Sequence, residues 1–274
     1  MVMTNVPTSQ NIIETLERSK LPLARLVEVF SSIQGEGTLV GFRQLFIRTY
    51  GCNLRCSYCD SPETLKESGS PPLCRVEDIP GSGQFRFIEN PVSSVELTQM
   101  VMDSFREAPH HSISLTGGEP LLYAKFWKIF LPPLRGMGIK VFLETNGLLP
   151  EHLLQVISLV DYVSMDFKAP SATGVDESVH WNIQQKFLEI AQRANVYGKL
   201  VITPGTSLDE LDRVVDIIYR TNPSIPLIIQ PVTPYGNEPD SVSSERIFEI
   251  QSRASEKLRE VRVIPQTHKM IRML

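Results

Sequence analysis

The sequence predicts an α/β fold, a partial (β/α)6 TIM-like barrel with an N-terminal extension and one insertion, and three observations carry that prediction. From Ser93 onward, apolar runs of strand length alternate with segments of helical periodicity, as parallel βαβ units do. About six such units follow from Gln44, too few to close an eight-stranded barrel. The polar motifs that interrupt the pattern stand where strands give way to loops, the place where βα barrels gather their working residues.

Residues 1–25 read as the extension and residues 26–274 as the barrel domain, with an insertion at about 62–92. Within the extension, Ile12, Ile13 and Leu16 follow Ser9 at helical spacing, which predicts a short amphipathic helix over Asn11 to Lys20. Leu26 to Phe30 then reads as a strand running into Gln34-Gly35-Glu36-Gly37, whose glycines permit a tight turn. Gln44 to Thr49 is an apolar strand containing Arg48, a charge that belongs either to a solvated edge or to a cavity. Residues 60 to 92 hold five prolines and three glycines with little periodicity and read as a long loop.

The regular pattern follows. Helices are predicted over Val95–Glu107, Tyr123–Leu131 (halted by Pro132-Pro133), Glu151–Ser158, Ser178–Asn195, Leu208–Tyr219 and Ser244–Glu260. Strands are predicted over Ser112–Thr116, Ile139–Glu144, Tyr162–Phe167, Lys199–Thr203, Pro226–Gln230 and Val261–Ile264.

Composition narrows the function. A chain of 274 residues, 42% hydrophobic and 21% charged, suits one globular core. Its formal net charge of −4 offers no basic footprint for direct binding of nucleic acid. Met1 to Arg25 has neither a basic start nor an apolar run, and no window approaches about 18 apolar residues, so a cytoplasmic protein without a membrane partner is expected. Four cysteines gathered in one region of such a chain point to metal chemistry rather than disulfides.

Cys52, Cys56 and Cys59 form a C-x3-C-x2-C loop directly after the strand that carries Arg48. Three thiolates so close can hold three irons of a [4Fe–4S] cluster and leave the fourth open to a small molecule. Zinc would need a fourth ligand, and Cys74, fifteen residues on, has no paired Cys or His beside it. A Cys56/Cys59 redox pair would leave Cys52 idle. Both stay open as alternatives, as does a non-catalytic iron–sulfur or zinc-binding adaptor.

Later strands end in Thr116-Gly117-Gly118-Glu119-Pro120, Glu144-Thr145-Asn146-Gly147, Asp166-Phe167-Lys168 and Gln230-Pro231. The glycine pair lets backbone approach a ligand, and Glu119 offers an acceptor to a protonated amine or, alternatively, a cap to the next helix.

The cysteine spacing, with Tyr58 just before the third thiol, resembles the radical S-adenosylmethionine (SAM) enzymes, and T-G-G-E-P resembles their GGEP motif. The resemblance implies that Tyr58, Gly117, Gly118, Glu119, Glu144, Asp166, Lys168 and Gln230 line SAM. Glu28 to Gly37, Arg48 before the cluster, Cys59-Asp60-Ser61 and the terminal Gln266-Thr267-His268-Lys269 are similar to the 7-carboxy-7-deazaguanine synthase family. That implies a radical SAM lyase of queuosine and deazapurine biosynthesis, which contracts 6-carboxy-5,6,7,8-tetrahydropterin with loss of ammonia. It implies substrate contacts from Gln34, Glu36, Arg48, Thr116 and His268. It also implies Mg²⁺ on Ser61, where the family has threonine, an electron donor such as flavodoxin or ferredoxin, and a homodimer. A glycyl-radical activating enzyme shares the cysteine loop and is the rival within the superfamily.

Overall fold

The computed structural model describes residues 21–65, 71–174, 177–235 and 238–273. The helix expected over Asn11 to Lys20 lies outside them. The strands are β1 (Leu23–Ala24), β2 (Leu26–Ile33), β3 (Arg43–Thr49), β4 (Leu73–Glu77), β5 (Phe85–Glu89) and β6 (Val92–Ser93), then β7 (Ser112–Gly117), β8 (Val141–Thr145), β9 (Tyr162–Phe167), β10 (Asn195–Ile202), β11 (Leu227–Pro231) and β12 (Val261–Val263). Ten of them form one sheet in the order β12-β11-β10-β9-β8-β7-β3-β2-β4-β5, while β1 and β6 pair separately. The strands from β3 through β7 to β12 run parallel, and β2 lies antiparallel to β3. The parallel strands are buried almost throughout, as in the run Val141-Phe142-Leu143, because helices cover their outer face.

Two of those helices begin at capping boxes: α1 (Ser94–Glu107) at Ser93 with Glu96, and the helix Leu208–Thr221 at Ser207 with Glu210. On the latter, Leu211, Val214, Val215 and Ile218 form the buried stripe that its helical period predicts.

Several expectations change; the helix expected over Glu151–Ser158 spans only Pro150–Leu154. The helix α2 (Ala124–Gly136) runs through Pro132 and Pro133. Both prolines lie on its exposed face with Lys128 and Ile129, whose carbonyls lose their intrahelical partners where water can replace them, while Leu131 and Leu134 anchor the buried face. Strand β10 starts at Asn195, four residues before the expected Lys199 and at the residue expected to end the preceding helix, which stops at Ala191. The helix Ser244–Ser255 stops short of Glu260. The insertion is not a bare loop: β4 and β5 form an antiparallel hairpin that extends the sheet beyond β2. Only Cys74, Val76 and Glu77 of the hairpin strands are buried, so this edge shows too weak an apolar pattern to read from sequence. Among the described residues no helix is long and apolar enough to cross a membrane.

Candidate active site

The ends of β3, β7, β8, β9, β10 and β11 open on one cavity. The cysteine loop is fixed to the loop after β7 by Gly118 N donating to Thr49 O (3.1 Å), Glu119 N to Gly51 O (2.7 Å) and Thr49 Oγ1 to Thr116 O (3.1 Å). A methyl at Gly117, whose φ is +117°, or at Gly118 would overlap the backbone of Thr49 or Gly51. The glycine pair is therefore demanded by packing between two loops, rather than by a ligand alone as its sequence suggested. Both glycines still line the cavity.

Cys52, Cys56 and Cys59 also line it, each partly exposed. Burial pushes the Cys52 and Cys59 thiols up, and Leu54 N donates to Cys52 Sγ at 3.4 Å. Three half-buried thiols on one loop, facing a cavity, fit a cluster that takes one thiolate per iron. Cys74 is buried on β4 outside the cavity, where burial pushes its thiol up to about 12.

Glu119 fills the capping role that its sequence offered as an alternative. It is fully buried and does not line the cavity. Its carboxylate accepts from Leu121 N (3.0 Å), Thr145 Oγ1 (2.9 Å) and Asn146 N (2.9 Å). It caps the turn after β7 and latches it to the loop after β8, and burial pushes its carboxyl up to about 7.

Across the cavity stands a row of alternating charges. Lys199, on β10, pairs with Glu36 and lies 3.0 Å from Asp166. Asp166 also pairs with Lys168 at 2.7 Å, and Lys168 Nζ lies 5.2 Å from the Tyr58 ring centroid. Burial alone would lower both lysines, but Asp166 holds them well above the ordinary lysine value, with Glu36 adding to it at Lys199. Burial alone would raise Asp166, but the two ammonium groups hold it down. Glu144 accepts from Gln34 Nε2 (2.8 Å) and Thr116 Oγ1 (2.7 Å), so it shares a wall with the residues expected at the substrate rather than at SAM. Burial, then the neighbouring Glu36, pushes its carboxyl up.

The C-terminal tail closes the open side of the sheet. Thr267 N donates to Gly35 O (2.9 Å), and Gln266 Nε2 donates to Glu36 Oε1 (2.8 Å) and Asp60 Oδ2 (3.0 Å). A side chain at Gly35 would overlap His268. Burial lowers the His268 pKa below the ordinary histidine value, which favours the neutral ring. Arg48 supplies a permanent charge there; its Nε donates to Glu28 Oε1 at 2.7 Å.

Ser61 Oγ lies 3.4 Å from Asp60 Oδ1, and Lys269 pairs with Asp60 Oδ2 at 2.7 Å. Burial pushes Asp60 up, yet Lys269 and Gln266 outweigh it and bring the carboxyl down to about 2. Among the described residues no three His, Cys, Asp or Glu side chains converge on a single ion. Ser61 and Asp60 fit Mg²⁺ only as a hard cation that takes its other ligands from water or substrate. Among the described residues Tyr58 OH and Gln230 Oε1, both buried at the cavity, find no hydrogen-bond partner, so each has capacity for a ligand.

Sequence reasoning overlooked Lys199, and it named Asn146 and Gln266 only within motifs, without a role of their own. Asn146 Nδ2 reaches Asn53 Oδ1 at 2.8 Å and Cys52 Sγ at 3.9 Å. For Lys199 the signal was present: it is the one charge in β10, as Arg48 is in the expected strand Gln44 to Thr49.

Fold and thiol loop together define the class, and the radical SAM superfamily model matches residues 46–218. The 7-carboxy-7-deazaguanine synthase of Geobacter sulfurreducens is 43% identical over 256 residues, covering 92% of this chain and 99% of that protein. The enzyme of that name from Methanothermobacter thermautotrophicus is 35% identical over 90% of this chain and 97% of its own length. The crystal structure of QueE from Escherichia coli shares the fold, with a TM-score of 0.56 at 17% identity, over 92% of this chain and 98% of that one. The chain belongs to the radical SAM superfamily and, within it, to the 7-carboxy-7-deazaguanine synthase family. It is a radical SAM enzyme, which sets aside the adaptor, zinc and dithiol readings.

Proposed function

We propose that this chain converts 6-carboxy-5,6,7,8-tetrahydropterin into 7-carboxy-7-deazaguanine with loss of ammonia. The carrying observation is that Gln34, Glu36, Arg48, Thr116, Glu144 and His268 line the same cavity as the three thiols. A bound [4Fe–4S] cluster with SAM supplies a 5′-deoxyadenosyl radical for hydrogen abstraction at the pterin C6. The protein's part is to bind, orient and exclude water.

Cys52, Cys56 and Cys59 hold the cluster. Tyr58, Asp166, Lys168 and Gln230, with the backbone of Gly117 and Gly118, line SAM. Arg48 takes the pterin carboxylate, while Glu36, Glu144 and Gln34 accept from its amino and ring N–H groups. Lys199 holds Glu36 in place, and His268 donates or accepts as a neutral ring. Ser61 and Asp60 hold Mg²⁺, so turnover falls with EDTA and Ser61→Ala blunts the response to added Mg²⁺. The reading includes flavodoxin or ferredoxin as electron donor, a homodimer and a cytoplasmic setting.

Anaerobic reconstitution followed by separate assays of SAM cleavage and 7-carboxy-7-deazaguanine tests this. Glu36→Gln and His268→Ala should lose product while keeping reductive SAM cleavage. Normal product from both variants, or no product from the wild type, would return the substrate to an undetermined radical SAM reaction.

A further inference from the structure

The inserted hairpin reaches the substrate site through one buried carboxylate. In the register of the sheet Glu28 stands opposite Arg48 of β3 on one side and Arg75 of β4 on the other. Its side chain is only 7% exposed. Oε1 accepts from Arg48 Nε at 2.7 Å, and Oε2 accepts from Arg75 Nε at 3.1 Å and from Arg75 Nη2. Arg75 is held in turn by Phe85 of β5, whose ring centroid lies 4.4 Å from the guanidinium carbon. Of these residues only Arg48 lines the cavity.

A buried carboxylate flanked by two guanidiniums is neutralised from both sides, and the triad keeps a net positive charge that Arg48 presents to the cavity. Without Arg75, Arg48 alone must satisfy Glu28, and the pair becomes neutral towards an incoming anion. We propose that Arg75 is a positioning residue that acts through Glu28 to set the place and effective charge of Arg48, and thereby the affinity of the site for a carboxylate-bearing substrate. The β4–β5 hairpin thus belongs to substrate recognition although it never touches the cavity. The inference rests on the reading of Arg48 as the group that meets the pterin carboxylate.

A double-mutant cycle with the reconstituted enzyme tests it. Arg75→Met should raise KM for 6-carboxy-5,6,7,8-tetrahydropterin about tenfold, as expected for members of one salt-bridge network, and leave kcat and the KM for SAM unchanged. Arg75→Lys should recover most of the loss, and in an Arg48→Met background Arg75→Met should add nothing. An unchanged KM in Arg75→Met, or the same fold-change in both backgrounds, overturns the inference while leaving the role of Arg48 intact. An unchanged KM in Arg48→Met removes the carboxylate role itself. Should Arg75→Met fail to fold, Phe85→Leu keeps every charge but loosens Arg75, and its KM should rise in the Arg48 background and not in the Arg48→Met background; no rise overturns the inference.

Discussion

Two polar clusters flank the same strands, and they treat charge differently. In the cavity, Glu36, Lys199, Asp166 and Lys168 pair side chain to side chain, beside unpartnered groups on Tyr58 and Gln230. At the sheet edge, Glu77 accepts from the backbone of Ser31 (2.9 Å) and Gly83 (2.8 Å), and Arg43 donates to Ser31 Oγ (2.8 Å) and Pro80 O (2.8 Å). A carboxylate that answers backbone N–H groups serves the fold, because those donors exist whether or not a ligand comes. One held by other side chains over a cavity can exchange partners. Glu119 shows that the rule follows partners and not location: it stands between two loops that line the cavity yet is bound by two backbone N–H groups and a threonine.

The largest expected contrast is between cysteines. Wild-type protein should carry about four irons per chain, and Cys56→Ala should abolish the SAM-dependent spectral change and SAM cleavage. Cys74→Ala, at the edge, should leave both unchanged and cost about 1 kcal/mol in thermal unfolding. A lower iron count in Cys74→Ala would erase the distinction between the regions.

Next comes Lys199→Met. Losing a preorganised charge from the array should slow product formation about 100-fold, while 5′-deoxyadenosine continues to form without product. Equal loss of both compounds would assign Lys199 to folding or to SAM instead.

Glu77→Ala tests the edge in the opposite sense. Leaving Ser31 N and Gly83 N without their acceptor should cost about 2 kcal/mol in denaturant unfolding, with kcat per folded molecule unchanged. A changed kcat would place the edge within the catalytic unit.

The smallest effect is a pH dependence at the edge. Burial, and then Arg43, lowers His110 from 6.5 to about 4. Since the unfolded chain takes up the proton first, this contribution is present above pH 6.5 and is lost as pH falls towards 4. Because His110 is partly exposed, the swing should be only about 1 kcal/mol, visible as a flatter stability profile in His110→Gln. An unaltered profile would remove His110 from the acid response.

The sequence by itself determined whatever depends on neighbours along the chain. Cys52, Cys56 and Cys59 needed only their spacing, and the capping boxes at Ser93 and Ser207 lie within four residues. The order of strands and helices emerged from periodicity, which is also local. Only the tertiary structure decided that Glu119 is a latch, that Glu144 sides with Gln34 and Thr116, and that Lys199 joins Glu36 to Asp166. Those partners come from separate strands, with Glu36 and Lys199 lying 163 residues apart. It also turned Leu73–Glu77 and Phe85–Glu89 into sheet, because an exposed edge strand owes its conformation to hydrogen bonds with its neighbour and not to an apolar pattern of its own. A side chain's type and spacing are written in the chain, but its burial and partners, which set its pKa and its role, exist only once distant strands are brought side by side.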